Sequence, residues 1–270
     1  MQDSPSLWLG PMRRPVRLAA IVAGALTLAL ALVMFVNNLI YTDASGMHEM
    51  LRPAGRPIVQ AMLALLAISF LLASVYLSDT IGVIEPRPTG PFDILSLALG
   101  RLAMIGVVFI VLVMFYEVVA RYVFEKPTLW ANELSLWIAG FVLLFAGLYA
   151  MQQRSHIRIY IIYDMMPRWA QKTADVVSLA LIWVFAICLI WGGYNEARDK
   201  FLRMETFGTA WDSPLPATIK PAILLIILLV AIQALSNLIA DWNKDPGSHS
   251  PADEIDQAEI ENIRRAVEGD

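Results

Sequence analysis

The sequence predicts an all-α membrane protein, a polytopic helical bundle of six transmembrane helices with a four-helix core and a two-helix N-terminal extension. Three observations predict it. The 270 residues are 58% hydrophobic, with mean hydropathy +0.60, where soluble domains sit near ~45–50%. Charged residues make up only 16% and gather between long apolar runs. Six of those runs approach the ~20 apolar residues needed to cross a bilayer.

The first run covers Leu18–Val36 and follows the basic "RRPVR". It exceeds the ~7–15 residues of a signal-peptide core, and no clear small-x-small cleavage site follows it, so a retained helix is expected. The second run covers Ala61–Leu77. The third centres on Leu102–Ala120 and can begin as early as Ile94. The fourth covers Leu134–Met151, the fifth Ala174–Tyr194 and the sixth Ile219–Ala240.

These runs divide the chain into an N-terminal two-helix extension (1–79), a linker (80–93), a four-helix core (94–242) and a polar tail (243–270). The linker lies in "SDTIGVIEPRPTGPFD", rich in the Pro and Gly that break helices. The tail is mostly acidic; Pro251 could start a short helix in it, or it could stay disordered.

Orientation follows from Lys and Arg in the short flanks. With the N-terminus inside, twelve basic residues fall inside and eight outside. Both termini are then cytoplasmic. The strongest contributions are "RRPVR" and the cluster from Arg154 to Lys172.

The net charge of −4 is spread over loops and tail. No basic block interleaved with aromatics is present, so no nucleic-acid surface is expected. Cys188 is the only cysteine, which excludes an internal disulfide and a multi-thiolate metal site. It is expected as a small packing residue. His48, His156 and His249 lie outside the apolar runs. The chain also lacks a phosphate loop, H-E-x-x-H and Gly-x-Ser-x-Gly. No enzyme activity and no cofactor are expected in this chain.

Three polar constellations remain. The first is "YEVVARYVFEKPTLWANELSLWI", Tyr116–Ile138. Glu117 and Arg121 are four apart and share a helix face. Lys126-Pro127 breaks that helix near Phe124, and Thr128 is a plausible N-cap for the next. Glu133 then falls in a first turn, where the helix dipole favours a carboxylate. Trp130, Trp137, Tyr116 and Tyr122 suit an interfacial aromatic belt. A tight hairpin would bring Arg121 towards Glu133, giving a charge-paired lip. An ion or substrate site calls for acids near mid-membrane, and none of the six runs has one there.

The second is "RSHIRIYIIYDMMPRW", Arg154–Trp169. As a helix it would put Ile157, Ile161 and Met165 on one face, and Arg154, His156 and Arg158 elsewhere. That suits a short interfacial helix with arginines towards lipid phosphates. The third is Tyr194–Pro221, which mixes charges with Phe201, Phe207 and Trp211. It reads as a solvated outer loop, or as a platform for a protein on that side.

Small residues recur at helical spacing: Ala20 and Gly24 in the first run, Gly140 and Gly147 in the fourth. Such faces let backbones approach closely in lipid. They serve internal packing or docking of another membrane subunit.

The motif "EVVARYVFEKPTLWANELSLWI" resembles the signature of the small permease subunit of TRAP transporters (tripartite ATP-independent periplasmic transporters, DctQ-type). The matching residues are Glu117, Val118, Arg121, Tyr122, Val123 and Phe124, then Trp130, Ala131, Glu133 and Leu134. "HIRI" at His156–Ile159 is similar to a second family element. "SPLPATIKPAILLIILLVAIQALSNLI" is similar to the last span. The resemblance covers about 92–242, and its wording is closest to the larger group labelled mannitol/chloroaromatic or 2-oxo-acid type. The family shows four spans, so the two helices before the linker are an addition. An Asp common in the family two residues after the H-x-R arginine is here Tyr160.

The resemblance implies a three-part importer of an organic acid in the bacterial inner membrane. Its partners would be a large permease, which uses a sodium gradient, and a periplasmic binding protein, besides membrane lipids. The small subunit would pack on the large one and stabilise it. The alternative from the residues is a self-sufficient channel or carrier, lined by Ser69, Ser74, Gln233 and Asn237.

Overall fold

In the computed structural model the described residues are 6–40, 56–82, 85–154, 163 and 166–243. They form six long helices and no strand. These are α1 (Arg13–Ile40), α2 (Pro57–Ser78), α3 (Pro91–Tyr122), α4 (Ala131–Gln152), α5 (Arg168–Leu202) and α6 (Leu215–Asp241). All six are long and apolar enough to cross a membrane. A 3-10 turn, Gly10–Met12, leads into α1.

Each helix extends past its apolar run, because polar residues at a membrane edge still satisfy their backbone within the helix. Pro57 and Pro91 open α2 and α3 at positions where a missing N–H costs nothing. α3 therefore starts at Pro91, inside the expected linker. Pro221 sits in the second turn of α6 and leaves the carbonyl four residues earlier without its helical donor.

The helices pack in a row: α1 on α2, α2 on α3, α3 on α4, α4 on α6, and α6 on α5. A smaller contact joins α3 to α6. Only 6–22% of each apolar stretch is buried, so the row leaves broad apolar faces towards lipid or another protein. Phe70 and Phe109 meet edge-on at 5.3 Å across α2 and α3.

Close approach along the row depends on particular glycines. A side chain at Gly106 would meet Val142 at 2.9 Å, and one at Gly140 would meet Ile219 at 2.8 Å. At Gly100 an added carbon would lie 2.5 Å from the Tyr149 ring. Gly24 has Ser69 as its nearest neighbour, at ordinary contact distance. Gly147 faces open space.

Candidate functional site: two polar ends of a helical row

Polar contacts gather at the two ends of the helices, where the row meets the membrane edges. The α3–α4 corner is built around Glu117, which is almost fully buried although it sits near a helix end. Its Oε1 accepts from Arg121 Nε at 3.0 Å and also from Nη2. Its Oε2 accepts the Thr128 N–H at 3.0 Å and the Thr128 hydroxyl. A carboxylate so enclosed needs such donors, because a buried charge without them would be strongly penalised. The chain reverses through Glu125 at φ 55°, and the Lys126 N–H donates to the Ala120 carbonyl at 2.9 Å. Tyr116 stacks on Trp130 with centroids 5.8 Å apart.

Two expectations for this corner are corrected. Thr128 does not cap α4, which begins at Ala131 with Trp130 at the N-cap and no side-chain cap bond; its hydroxyl is committed to Glu117. Nor does Arg121 reach Glu133, because Glu117 on its own helix lies nearer and takes the guanidinium. Glu133 Oε1 instead accepts the Trp211 N–H of the α5–α6 loop at 3.2 Å.

That loop is not simply solvated. Trp211 and Ser213 are buried, the Phe207 N–H donates to the Ser213 carbonyl at 2.9 Å, and Gly208 turns the chain at φ 76°. Trp137 Nε1 donates to Thr218 Oγ1 at 2.7 Å, joining α4 to α6. Phe201 and Phe207 stay exposed.

The other end holds a second network. Gln233, buried on α6, donates from Nε2 to Asp93 Oδ1 at 2.6 Å and to Asn237 Oδ1 at 2.9 Å. Its Oε1 accepts from Ser96 Oγ at 2.9 Å. Asn237 Nδ2 donates to the Met151 carbonyl at 2.7 Å. Asp93 Oδ2 accepts the Thr89 N–H and hydroxyl, each at 2.8 Å. These bonds join the start of α3, the end of α4 and the last turns of α6. Arg154 closes the same corner through two bonds to Asp241, Nε–Oδ2 at 2.5 Å and Nη2–Oδ1 at 3.1 Å. The expectation that Arg154 faces lipid phosphate is thus corrected: a carboxylate in bidentate reach takes it first. His156 and Arg158 lie outside the described residues, as does most of the expected interfacial helix.

The linker is tied down by the same means. Glu85 Oε2 accepts from Arg101 Nη2 at 2.5 Å and from the Gly82 N–H at 2.8 Å. Its Oε1 accepts the Tyr149 hydroxyl at 2.5 Å. Arg101 Nη2 also donates to the Thr80 carbonyl at 3.0 Å. One residue earlier, buried Asp79 Oδ1 accepts from the N–H groups of Leu7, Trp8 and Leu9 at 2.8–3.0 Å and from Ser6 Oγ at 3.0 Å. Arg13 lies 3.5 Å from Asp79 Oδ2. Burial pushes the Asp79 and Glu85 carboxyls upward, but the surrounding donors outweigh it and hold both below the ordinary carboxylate range.

Gln233 and Asn237 were therefore visible in the sequence as polar residues in a span, and the structure spends their amides on internal bonds. Ser74 Oγ turns back to the Leu71 carbonyl at 2.9 Å. Asp79, Glu85 and Asp93 were not singled out from the sequence; their position beside a Pro/Gly-rich linker was the available signal. Cys188 is exposed rather than packed. No group of three or more potential metal-ligating side chains occurs among the described residues.

Fold and contacts define an integral membrane protein whose polar groups lock helix ends. The profile of the "Tripartite ATP-independent periplasmic transporters, DctQ component" family matches residues 110–244, half of the chain. The chain belongs to that family and is a DctQ-type small permease subunit of a TRAP transporter. It is similar to the C4-dicarboxylate TRAP transporter small permease protein DctQ of Vibrio cholerae serotype O1, at 26% identity over 105 residues. That match takes in 39% of this chain and 45% of the relative, so the chain spans just under half of the relative's length. No solved structure matches. The matched region starts within α3, so α1, α2 and the linker lie outside it.

Proposed function

We propose that this chain is the non-catalytic scaffold subunit of its transporter. It packs on a large permease and stabilises it for sodium-coupled uptake of an organic acid delivered by a periplasmic binding protein. It lies in the inner membrane with both termini cytoplasmic, and it binds no cofactor of its own. The observation that carries this reading is the row of helices: Glu117, Asp93, Gln233 and Asn237 are committed to internal partners near the helix ends, while broad faces remain for a partner. An internal solute path calls for polar groups left free near mid-membrane. On α4 the exposed stripe of Asn132, Leu136, Leu143, Ala146 and Gly147 is the face assigned to the large permease, since small residues there admit a close helix.

The test is reconstitution of the large permease and binding protein in liposomes, with and without this chain. Sodium-dependent uptake that needs the chain supports the proposal. Uptake by this chain alone, or full uptake in its absence, sinks it.

A further inference from the structure

The α5–α6 surface carries a groove with the shape and charge of an amphiphile. Its volume is about 360 Å³, and it runs along Cys188, Gly192 and Gly193 on α5 against Leu224 on α6. Gly192 faces open space, while Gly193 lets Leu224 approach to 3.1 Å of an added carbon. At its loop-side end stand Glu196 and Lys220, paired at 2.7 Å and both about half exposed; Lys200 lies 4.0 Å from Glu196 but is held at 2.5 Å by Glu205, which offsets its charge. From Cys188 to Glu196 the groove follows eight residues of helix, roughly 12 Å at 1.5 Å per residue. A second groove on α1, beside Val33 and Asn37, has no charge at its lip.

We propose that this groove binds a phospholipid with a zwitterionic, ammonium-bearing headgroup, from the leaflet on the α5–α6 loop side. One acyl chain lies over Gly192 and Gly193. The headgroup phosphate meets the Lys220 ammonium, and its own ammonium donates to the Glu196 carboxylate. An exposed ion pair contributes only about 0–1 kcal/mol, so Glu196 and Lys220 can exchange partners at little cost. A purely anionic lipid would satisfy Lys220 but be repelled by Glu196, and a choline headgroup has no N–H to donate. A transmembrane helix, about 10–12 Å across, could lie over the groove but could not fill it. The inference is independent of the transport reading and requires only that α5 and α6 span the bilayer.

The test uses the full chain, purified into mild detergent and examined by native mass spectrometry after exposure to phosphatidylethanolamine, phosphatidylcholine and phosphatidylglycerol. One retained phosphatidylethanolamine per chain is expected, about tenfold above either other lipid. Gly192→Leu fills open space and Lys220→Gln removes the phosphate partner; each should lower retention about tenfold, a loss of roughly 1.4 kcal/mol. Glu196→Gln should erase the preference for ethanolamine over choline. Ala180→Leu, also exposed on α5 but two turns away, should change nothing. As a second readout, Cys188, the only cysteine, should react with a membrane-permeant maleimide more slowly in phosphatidylethanolamine nanodiscs than in phosphatidylcholine ones. Equal retention of the three lipids, or wild-type retention in both the Gly192 and Lys220 variants, overturns the proposal. So does efficient cross-linking of Cys188 to a co-expressed large permease with no lipid retained.

Discussion

Glu117 and Thr128 are eleven residues apart, and one carboxylate oxygen of Glu117 takes both the backbone N–H and the hydroxyl of Thr128. The α3–α4 turn is therefore held from beneath by a buried acid rather than from its lip by exposed charges.

Glu117→Ala should destabilise the chain by about 2–3 kcal/mol, because it removes the acceptor shared by Arg121 on α3 and Thr128 in the turn. Arg121 is half exposed, so solvent already screens its pairing and Arg121→Ala should cost only about 1 kcal/mol. Thermal unfolding in detergent would compare them; an equal loss in both would contradict the buried-acid account. In the assembled transporter, Arg121→Ala should lower complex yield more than it changes apparent substrate affinity. Normal yield with a shifted sodium dependence would count against that.

Gly100→Ala should destabilise by about 1–3 kcal/mol, since the new carbon falls 2.5 Å from the Tyr149 ring and pushes the hydroxyl off Glu85. Gly147→Leu should leave the isolated chain's melting temperature unchanged, because nothing faces it. It should reduce co-purification with the large permease. Unimpaired co-purification would remove α4 from the docking face.

Gln233→Leu should cost at least about 2 kcal/mol. It keeps roughly the side-chain volume but leaves Asp93, Ser96 and Asn237 without a shared partner. Asn237→Ala, at the rim of the same network, should cost about half as much. Chemical denaturation of the two variants measures the difference, and a neutral Gln233→Leu would show the network to be dispensable.

The tie between extension and core should persist into mild acid. Asp79 and Glu85 are both held below the ordinary carboxylate range. Their contribution is thus fully present above about pH 5 and is lost as pH falls through the depressed folded-state values. Limited proteolysis of the linker should accelerate only below about pH 4, whereas Glu85→Gln should be cleaved faster at neutral pH. A sharp rise in cleavage near pH 6 would contradict this.

Much of the architecture was legible in the sequence. All six apolar runs became helices, because 20 or so apolar residues in lipid must satisfy their backbone internally. The starts at Pro57 and Pro91 were not read, and the linker had been expected to run to residue 93. The Glu117–Arg121 pair was readable too, since a spacing of four is a property of one helix. Where contacts cross between elements the reading failed. Arg121 was expected to lean towards Glu133 as well and stays on Glu117; Thr128 was expected as a cap and found as a donor; Arg154 was expected at lipid and found on Asp241. Each involved a choice among partners that only distance resolves.

By itself the sequence determined that six helices are long and apolar enough to cross a membrane, and roughly where they break. Those follow from hydropathy and proline sterics, both of them local. Only the tertiary structure decided that the helices stand in a row, that Gly140 is consumed in packing while Gly147 is left open, and that Gln233 is a knot rather than a pore lining. Two residues identical in chemistry and seven apart acquire different roles once a neighbouring helix covers one and not the other.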